Sequence, residues 1–312
     1  MMLRQIWNKL VKSHKNVGNL DPSLYKWEYI ELDNVGKFPD AIHDIYSRKI
    51  DGIIIRNVFS PSEVKLMRTR IESMDQRKMY PTNEGTGHAY PRVFSQVARP
   101  DNNEEVTAEY LNAYFEECDK LPSEILSLLG VDFIARLEEV LTQLSGGRKI
   151  DVPKGINGVG KYAATTIRMN HPGKGFISVH CGNYFSQVFK SFYSHLRTEV
   201  NVTDQLSYFV TVNPAQIGGE LTLYDLIWKS GQTSSRADAD EEVIISDGSS
   251  FYTGEKSPLK RMQVKPGAGD LLIFPGGPIW HRVELVKGKE ERITIGGFLS
   301  FTEDMKTVKY WS

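Results

Sequence analysis

Two histidines stand inside apolar, strand-like runs of this 312-residue chain: His180 in "FISVHCGNYF" and His281 in "PGGPIWHRVELV". A neutral imidazole at such a position can ligate a metal, although one histidine alone on an apolar strand is more often an ordinary core residue. Arg292 alters that balance. It follows His281 by eleven residues, at the start of the run "RITIGGF". A buried guanidinium there needs an anion, and a carboxylate is the best geometric match for its fork. Charge-assisted hydrogen bonds of about 1.5–3 kcal/mol each would anchor a dicarboxylate cosubstrate. Cys181, next to His180, is not expected to join it: adjacent side chains of a strand point to opposite faces, so it reads as a small buried hydrophobe.

These residues need a rigid framework, and the second half of the chain supplies one. From Thr166 onward come short runs rich in β-branched and aromatic residues: "TIRMN", "GFISVHCGNYF", "QLSYFVTVNP", "GGELTLYDLIW", "SFYTG", "MQVKP", "GDLLIFPGG", "IWHRVELV" and "ERITIGGFLSF". Gly, Pro or Asn punctuates most gaps, which predicts a sandwich or barrel-like roll. The polar stretch 230–242 reads as a surface loop. The first half reads as mostly helical, with one early strand in "DGIIIRNVF". A helix should follow it, with Ser60 as N-cap, Pro61 at the first turn and Glu63 closing a capping box. Val64, Met67, Ile71 and Met74 then share one face. A second helix carries Phe133, Ile134, Leu137, Val140, Leu141 and Leu144, and the glycines at 146–147 end it. The expected fold is mainly β with helical support, a jelly-roll (double-stranded β-helix, cupin-like) core packed by N-terminal helices. We read residues 1–312 as one domain, with support over 1–150 and the core over 160–304.

Bulk composition narrows the function classes. With 25% charged residues, 40% apolar residues and a net charge of −1, nothing draws the chain to a nucleic acid polymer or an anionic membrane. No run approaches the roughly 20 apolar residues of a membrane span. The basic, amphipathic segment 1–15 reads as a helix or arm rather than a signal peptide. Two cysteines and no CxxC pair exclude a disulfide framework and suggest a cytoplasmic setting.

His…His…Arg on such a roll, together with "GGEL" and "PGAGDLLIFPGGPIWHRV", resembles the iron(II)/2-oxoglutarate-dependent oxygenases over roughly residues 160–300. That resemblance implies iron held by two histidines and one carboxylate, with places left for 2-oxoglutarate and dioxygen. The carboxylate normally follows the first histidine by two residues; here that residue is Gly182. Three readings follow. The chain could be a binding-only relative. Asp204 or Asp225 could restore the ligand and make it a hydroxylase. Or the missing side chain opens a position for chloride or bromide. "TIRMNHPGKGFISVHCGNYF", "DQLSYF", "GGELTLYDLIW", "TIGGFLSF" and "YWS" resemble the freestanding aliphatic halogenases of welwitindolinone and hapalindole alkaloid biosynthesis, in which His-x-Gly replaces His-x-Asp. This favours the third reading.

The resemblance assigns roles residue by residue. His180 and His281 would ligate iron, with the halide beside Gly182 and Asn183. Arg292 would hold 2-oxoglutarate, seconded by Arg168, while dioxygen converts that cosubstrate to succinate and CO2. Ser207 matches a serine that positions the oxidant, and an ordinary strand serine would look the same. Phe185 would line the substrate pocket. The stretch 85–101 seats His88, Tyr90, Arg92 and Arg99 where the alkaloid enzymes contact substrate. Their polarity suits a substrate with polar or anionic groups, alkaloid-like or nucleotide-like, though a solvated loop explains them equally. The partner is a free small molecule, with no carrier protein, membrane or nucleic acid.

Overall fold

The chain is described by a computed structural model over residues 19–75, 78–82, 86–91, 108–188, 190–229, 242–244, 250–252 and 259–312. In chain order the first strands are β1 (Trp27–Glu31), β2 (Gly52–Arg56), β3 (Tyr80–Pro81), β4 (Gly87–Tyr90), β5 (Lys149–Asp151) and β6 (Thr166–Asn170). Then follow β7 (Ile177–His180), β8 (Leu206–Asn213), β9 (Leu221–Ile227), β10 (Glu242–Ile244) and β11 (Ser250–Tyr252). The last are β12 (Arg261–Val264), β13 (Leu271–Phe274), β14 (Ile279–Val283), β15 (Arg292–Phe301) and β16 (Thr307–Trp311). Helices are α1 (Ala41–Tyr46), α2 (Pro61–Glu72), α3 (Ala108–Asp119), α4 (Leu121–Leu129), α5 (Phe133–Leu144), α6 (Gly182–Val188) and α7 (Lys190–Glu199).

Two sheets face each other. The larger has ten strands in the order β1-β2-β13-β8-β15-β6-β4-β3, with β16 also paired to β15 and β5 to β16. The smaller runs β12-β9-β14-β7, and β10 pairs with β11 separately. The β1–β2 and β5–β16 pairs are parallel, so the large sheet is mixed.

The continuous apolar runs "GIII" and "LLIF" belong to strands buried on both faces. Ile53 and Ile55 of β2, with Leu271 and Ile273 of β13, turn toward the helices. Their alternates Ile54, Leu272 and Phe274 turn the other way, onto Leu221, Leu223 and Ile279 of the small sheet. Alternation thus feeds two cores from one strand, each fully buried side chain contributing about 1.5–3 kcal/mol.

Helices cover the outer face of the large sheet. Ser60 Oγ accepts from the Glu63 amide at 3.3 Å while Glu63 Oε2 accepts from the Ser60 amide at 2.7 Å, completing the expected capping box of α2. Val64, Met67 and Ile71 of α2 join Phe133, Leu137, Val140, Leu141 and Leu144 of α5 in the helix-side core. Beyond α5, Gly146 and Gly147 take φ of 67° and 80°, a turn that favours glycine.

Three expectations are corrected. The first half contributes β1 to β4 to the large sheet, not a single strand, and β2 lies between β1 and β13. Residues 87–90 are the strand β4, laddered to β6, rather than part of a loop. "GFISVHCGNYF" is not one strand: β7 ends at His180 and Gly182 opens α6. The segments 1–18 and 230–241 lie outside the described residues. No described helix is long and apolar enough to cross a membrane.

Candidate active site

His180 ends β7 and His281 lies in the middle of β14, directly opposite it in the antiparallel ladder. His281 is also opposite Leu223, which faces the space between the sheets. The two imidazole centroids lie 4.2 Å apart. Each Nδ1 is fixed by the carbonyl two residues back: His180 by Ser178 at 2.7 Å, His281 by Ile279 at 2.8 Å. A neutral ring that donates from Nδ1 leaves its Nε2 lone pair free for a metal. Burial keeps the rings neutral, pulling His180 down to about 4 with help from the nearby Arg168 charge. His281 lies well below the usual imidazole range, through burial and then the charge of His180. Two neutral nitrogen ligands suit iron(II).

No third ligand joins them: among the described residues no group of three or more His, Cys, Asp or Glu could hold a metal ion. Cys181 packs with Val179, Tyr224 and Trp280 on the far side of the small sheet, as its parity requires. Burial pushes its thiol up to about 12.

The chain turns into α6 after His180 because its next amides find partners off the ladder. Gly182 N–H donates to the Gly276 carbonyl at 2.8 Å and Asn183 N–H to the Gly277 carbonyl at 3.0 Å. Gly277 N–H in turn donates to the Gln205 carbonyl at 2.6 Å. Asn183 and Asp204 then clamp each other. Asn183 Nδ2 donates to Asp204 Oδ1 and the Asp204 amide donates to Asn183 Oδ1, both at 2.8 Å. The clamp draws residues 204–205 beside 182–183. It also engages both candidates at once: the Asn183 amide expected at the halide, and the Asp204 carboxylate that could have restored a ligand. Asp225, the other carboxylate considered, is exposed.

At Gly182 itself a Cβ would lie 2.5 Å from Gln205 Nε2, 3.0 Å from its Cγ and 3.1 Å from its Cδ. Gln205 was not foreseen. Its only signal in the sequence was a place two residues before Ser207, which puts both on one face of an extended run.

Arg292 and Arg168 sit on neighbouring strands of the large sheet, β15 and β6, on the face toward the histidines. Arg168 is opposite Thr294 and Arg292 opposite Asn170, so the two guanidinium groups rise from one side. Arg292 is buried over the ring of Phe209, 5.2 Å from its centroid, and Nη1 reaches Thr294 Oγ1 at 3.5 Å. Burial and the Arg168 charge pull Arg292 down to about 10, against the opposing pull of Glu220. Burial lowers Arg168 as well. Among the described residues neither arginine has a carboxylate within ion-pair distance. Two cations, Arg292 buried and Arg168 half-buried, without a paired carboxylate among the described residues fit an anionic ligand.

Ser207 opposes Phe274 across the β8–β13 ladder and so faces between the sheets. Its hydroxyl occupies the space that a side chain at Gly276 would need. Phe185, from α6, stacks on His180 with centroids 5.1 Å apart and an interplanar angle of 23°. Phe274 meets His281 edge-on at 4.9 Å, a contact the sequence did not announce.

His88 and Tyr90 are not brought to the histidine pair. They oppose Met169 and Ile167, both in the helix-side core, whereas Ala89 between them opposes Arg168. The Tyr90 hydroxyl donates to Glu124 of α4 at 2.8 Å. His88 Nδ1 lies 2.9 Å from His171 Nε2, and His171 Nδ1 lies 2.6 Å from Glu291. Arg92 and Arg99 lie outside the described residues.

The same architecture occurs in a novel N-substituted L-amino acid dioxygenase from Burkholderia ambifaria AMMD. That match has 15% identity and a TM-score of 0.54, covering 87% of this chain and 90% of that one. The same dioxygenase in complex with alpha-KG matches at 16% identity and a TM-score of 0.53, with equal coverage. At this identity the likeness establishes the fold, a jelly-roll core. No curated protein matches the chain in sequence. A family model described as "Carrier-protein-independent halogenase WelO5" matches residues 24–312. With nearly its whole length matched, the chain belongs to the carrier-protein-independent halogenase WelO5 family.

Proposed function

We propose that this protein halogenates an unactivated aliphatic C–H of a freestanding small molecule, using iron(II), 2-oxoglutarate, dioxygen and chloride or bromide. One observation carries the reading. The residue that would supply a carboxylate is Gly182, and neither candidate substitute reaches the gap, Asp204 being held by Asn183 and Asp225 exposed. An anion from solution is then the natural source of the missing negative charge.

His180 and His281 would hold the metal through their Nε2 atoms, presented by the Ser178 and Ile279 carbonyls. Arg292, with Arg168, would bind the carboxylates of 2-oxoglutarate, with the Phe209 ring lying against the Arg292 guanidinium. When bound, iron and 2-oxoglutarate supply hydrogen abstraction and halogen transfer, with release of succinate and CO2. Gly182 supplies no carboxylate where the halide would bind. Ser207 offers a hydroxyl on the same side of the large sheet, suited to orienting the oxidant. Phe185 gives the histidine pair an apolar wall where an aliphatic substrate would approach. The family description supports a substrate free of a carrier protein, and two free thiols suit a cytoplasmic setting.

The test needs no substrate. Anaerobic addition of iron(II) and 2-oxoglutarate should give a metal-to-ligand charge-transfer band that shifts saturably with chloride. A band indifferent to chloride would contradict the halide reading, and no band would return both histidines to the core.

A further inference from the structure

The position vacated at residue 182 is not simply empty space. Gln205 is fully buried, and among the described residues neither its Nε2 nor its Oε1 has a hydrogen-bond partner of good geometry. The buried Tyr193 hydroxyl engages this carboxamide in a looser hydrogen bond. A carboxamide offers two N–H donors and an acceptor oxygen, so one hydroxyl could satisfy only part of it. Leaving such a group unsatisfied is costly, and a native fold seldom keeps one without a reason.

Its location supplies the reason. The amide stands where a side chain at 182 would begin, 2.5 Å from that residue's Cβ position. It is held there by main-chain and side-chain bonds rather than by chance packing. Gly277 N–H grips the Gln205 carbonyl, Gly277 and Gly276 grip the amides of Asn183 and Gly182, and Asp204 is locked to Asn183. Gly277 can lie this close because it has no side chain: a Cβ there would meet the Gln205 backbone nitrogen and oxygen, each at 2.6 Å. The segment is thus built to bring one uncharged donor to the gap beside His180.

We infer that the Gln205 carboxamide is the protein's contact to the halide, donating an Nε2–H to the anion at the position Gly182 leaves open. The inference rests on the halogenase reading and adds to it the residue that selects the occupant. A neutral donor suits a halide where a carboxylate would repel it, and an arginine or lysine would overbind it and add a third cation beside Arg168 and Arg292. The opposite orientation, with Oε1 toward the metal, would make Gln205 a substitute ligand and leave no role for halide.

Chloride titrations of the iron(II)–2-oxoglutarate complex of the full chain, followed by the charge-transfer band, test this. Gln205→Met keeps length and volume but removes the donor. It should raise the chloride concentration at half-saturation about 10- to 100-fold, the loss of one charge-assisted bond. The 2-oxoglutarate half-saturation should stay within about twofold, which general damage to the fold would not allow. Gln205→Glu places a carboxylate in the same volume and should abolish the chloride response while the band persists; it serves if the Met variant does not fold. An unchanged chloride response in either variant overturns the Gln205 assignment and leaves the halide reading standing. A wild-type band indifferent to chloride overturns the halide reading itself. If that band is also altered in Gln205→Met, the amide oxygen is a metal ligand and the inference fails in that specific way.

Discussion

His180 and His281 face each other residue for residue across the β7–β14 ladder, with ring centroids 4.2 Å apart. Each ring is oriented by a carbonyl two residues earlier on its own strand. With only two protein ligands, neither is redundant. His180→Ala or His281→Ala should weaken iron(II) binding by about 100-fold or more, at or beyond the upper range seen for removing a ligand's supporting partner. Anaerobic calorimetry checks this; wild-type affinity in either variant would remove that residue from the metal.

Arg292→Leu should raise the 2-oxoglutarate concentration at half-saturation by about 100-fold, since two charge-assisted bonds disappear. Arg292→Lys should fall between, keeping the charge but losing the planar fork over Phe209. Iron(II) affinity measured without 2-oxoglutarate should be unchanged in both. If Arg168→Leu costs more than Arg292→Leu, the anchor is the other arginine.

Gly182→Ala should destabilise the fold by about 1–3 kcal/mol in urea unfolding, because the new methyl meets the Gln205 side chain. In a Gln205→Ala background the same change should cost well under half as much, a coupling that a double-mutant cycle isolates. Equal costs in both backgrounds would mean that the two residues do not share this space.

A stability prediction arises away from the site. Lys309 is buried on β16, with Nζ 3.2 Å from Asp151 and 3.9 Å from Glu199. Burial alone would raise the Asp151 carboxyl, but hydrogen bonds from Lys149 and Lys309 outweigh it and hold it below 3.8. A depressed carboxyl stabilises the fold above its unfolded value, and that contribution is lost as pH falls through the lower folded value. Asp151→Asn should therefore cost about 2–3 kcal/mol at neutral pH by leaving the ammonium poorly paired. The gap to wild type should shrink below about pH 4. A gap that widened on acidification would contradict this.

The elements that regular periodicity encodes were legible in the sequence. The α2 capping box, the α5 stripe and the runs of β2 and β13 each carry a local signal that tertiary packing then reinforces. The histidines and Arg292 were legible too, because polar groups stand out in apolar strands. What escaped depended on contacts between distant segments. "HCGNYF" continues an apolar pattern, and only the Gly276 and Gly277 carbonyls turn it into α6. β4 is short and bounded by Pro91, so its ladder to β6 was hidden, and with it the parity that turns His88 and Tyr90 away. Gln205 acquires meaning only when the Asn183–Asp204 clamp sets it against Gly182. In "DQLSYF" the serine drew attention, and the glutamine two residues before it had no pattern to announce it.

The central claim is that a halide takes the position left by Gly182. The most direct measurement is anomalous diffraction at the bromine edge from anaerobic crystals of the iron(II)–2-oxoglutarate complex grown in bromide. The account predicts a single strong peak beside Gly182, bound to the metal held by His180 and His281 and within hydrogen-bond distance of Gln205 Nε2. A fully occupied metal with no bromine peak at Gly182, and a water or side-chain oxygen in its place, would contradict it.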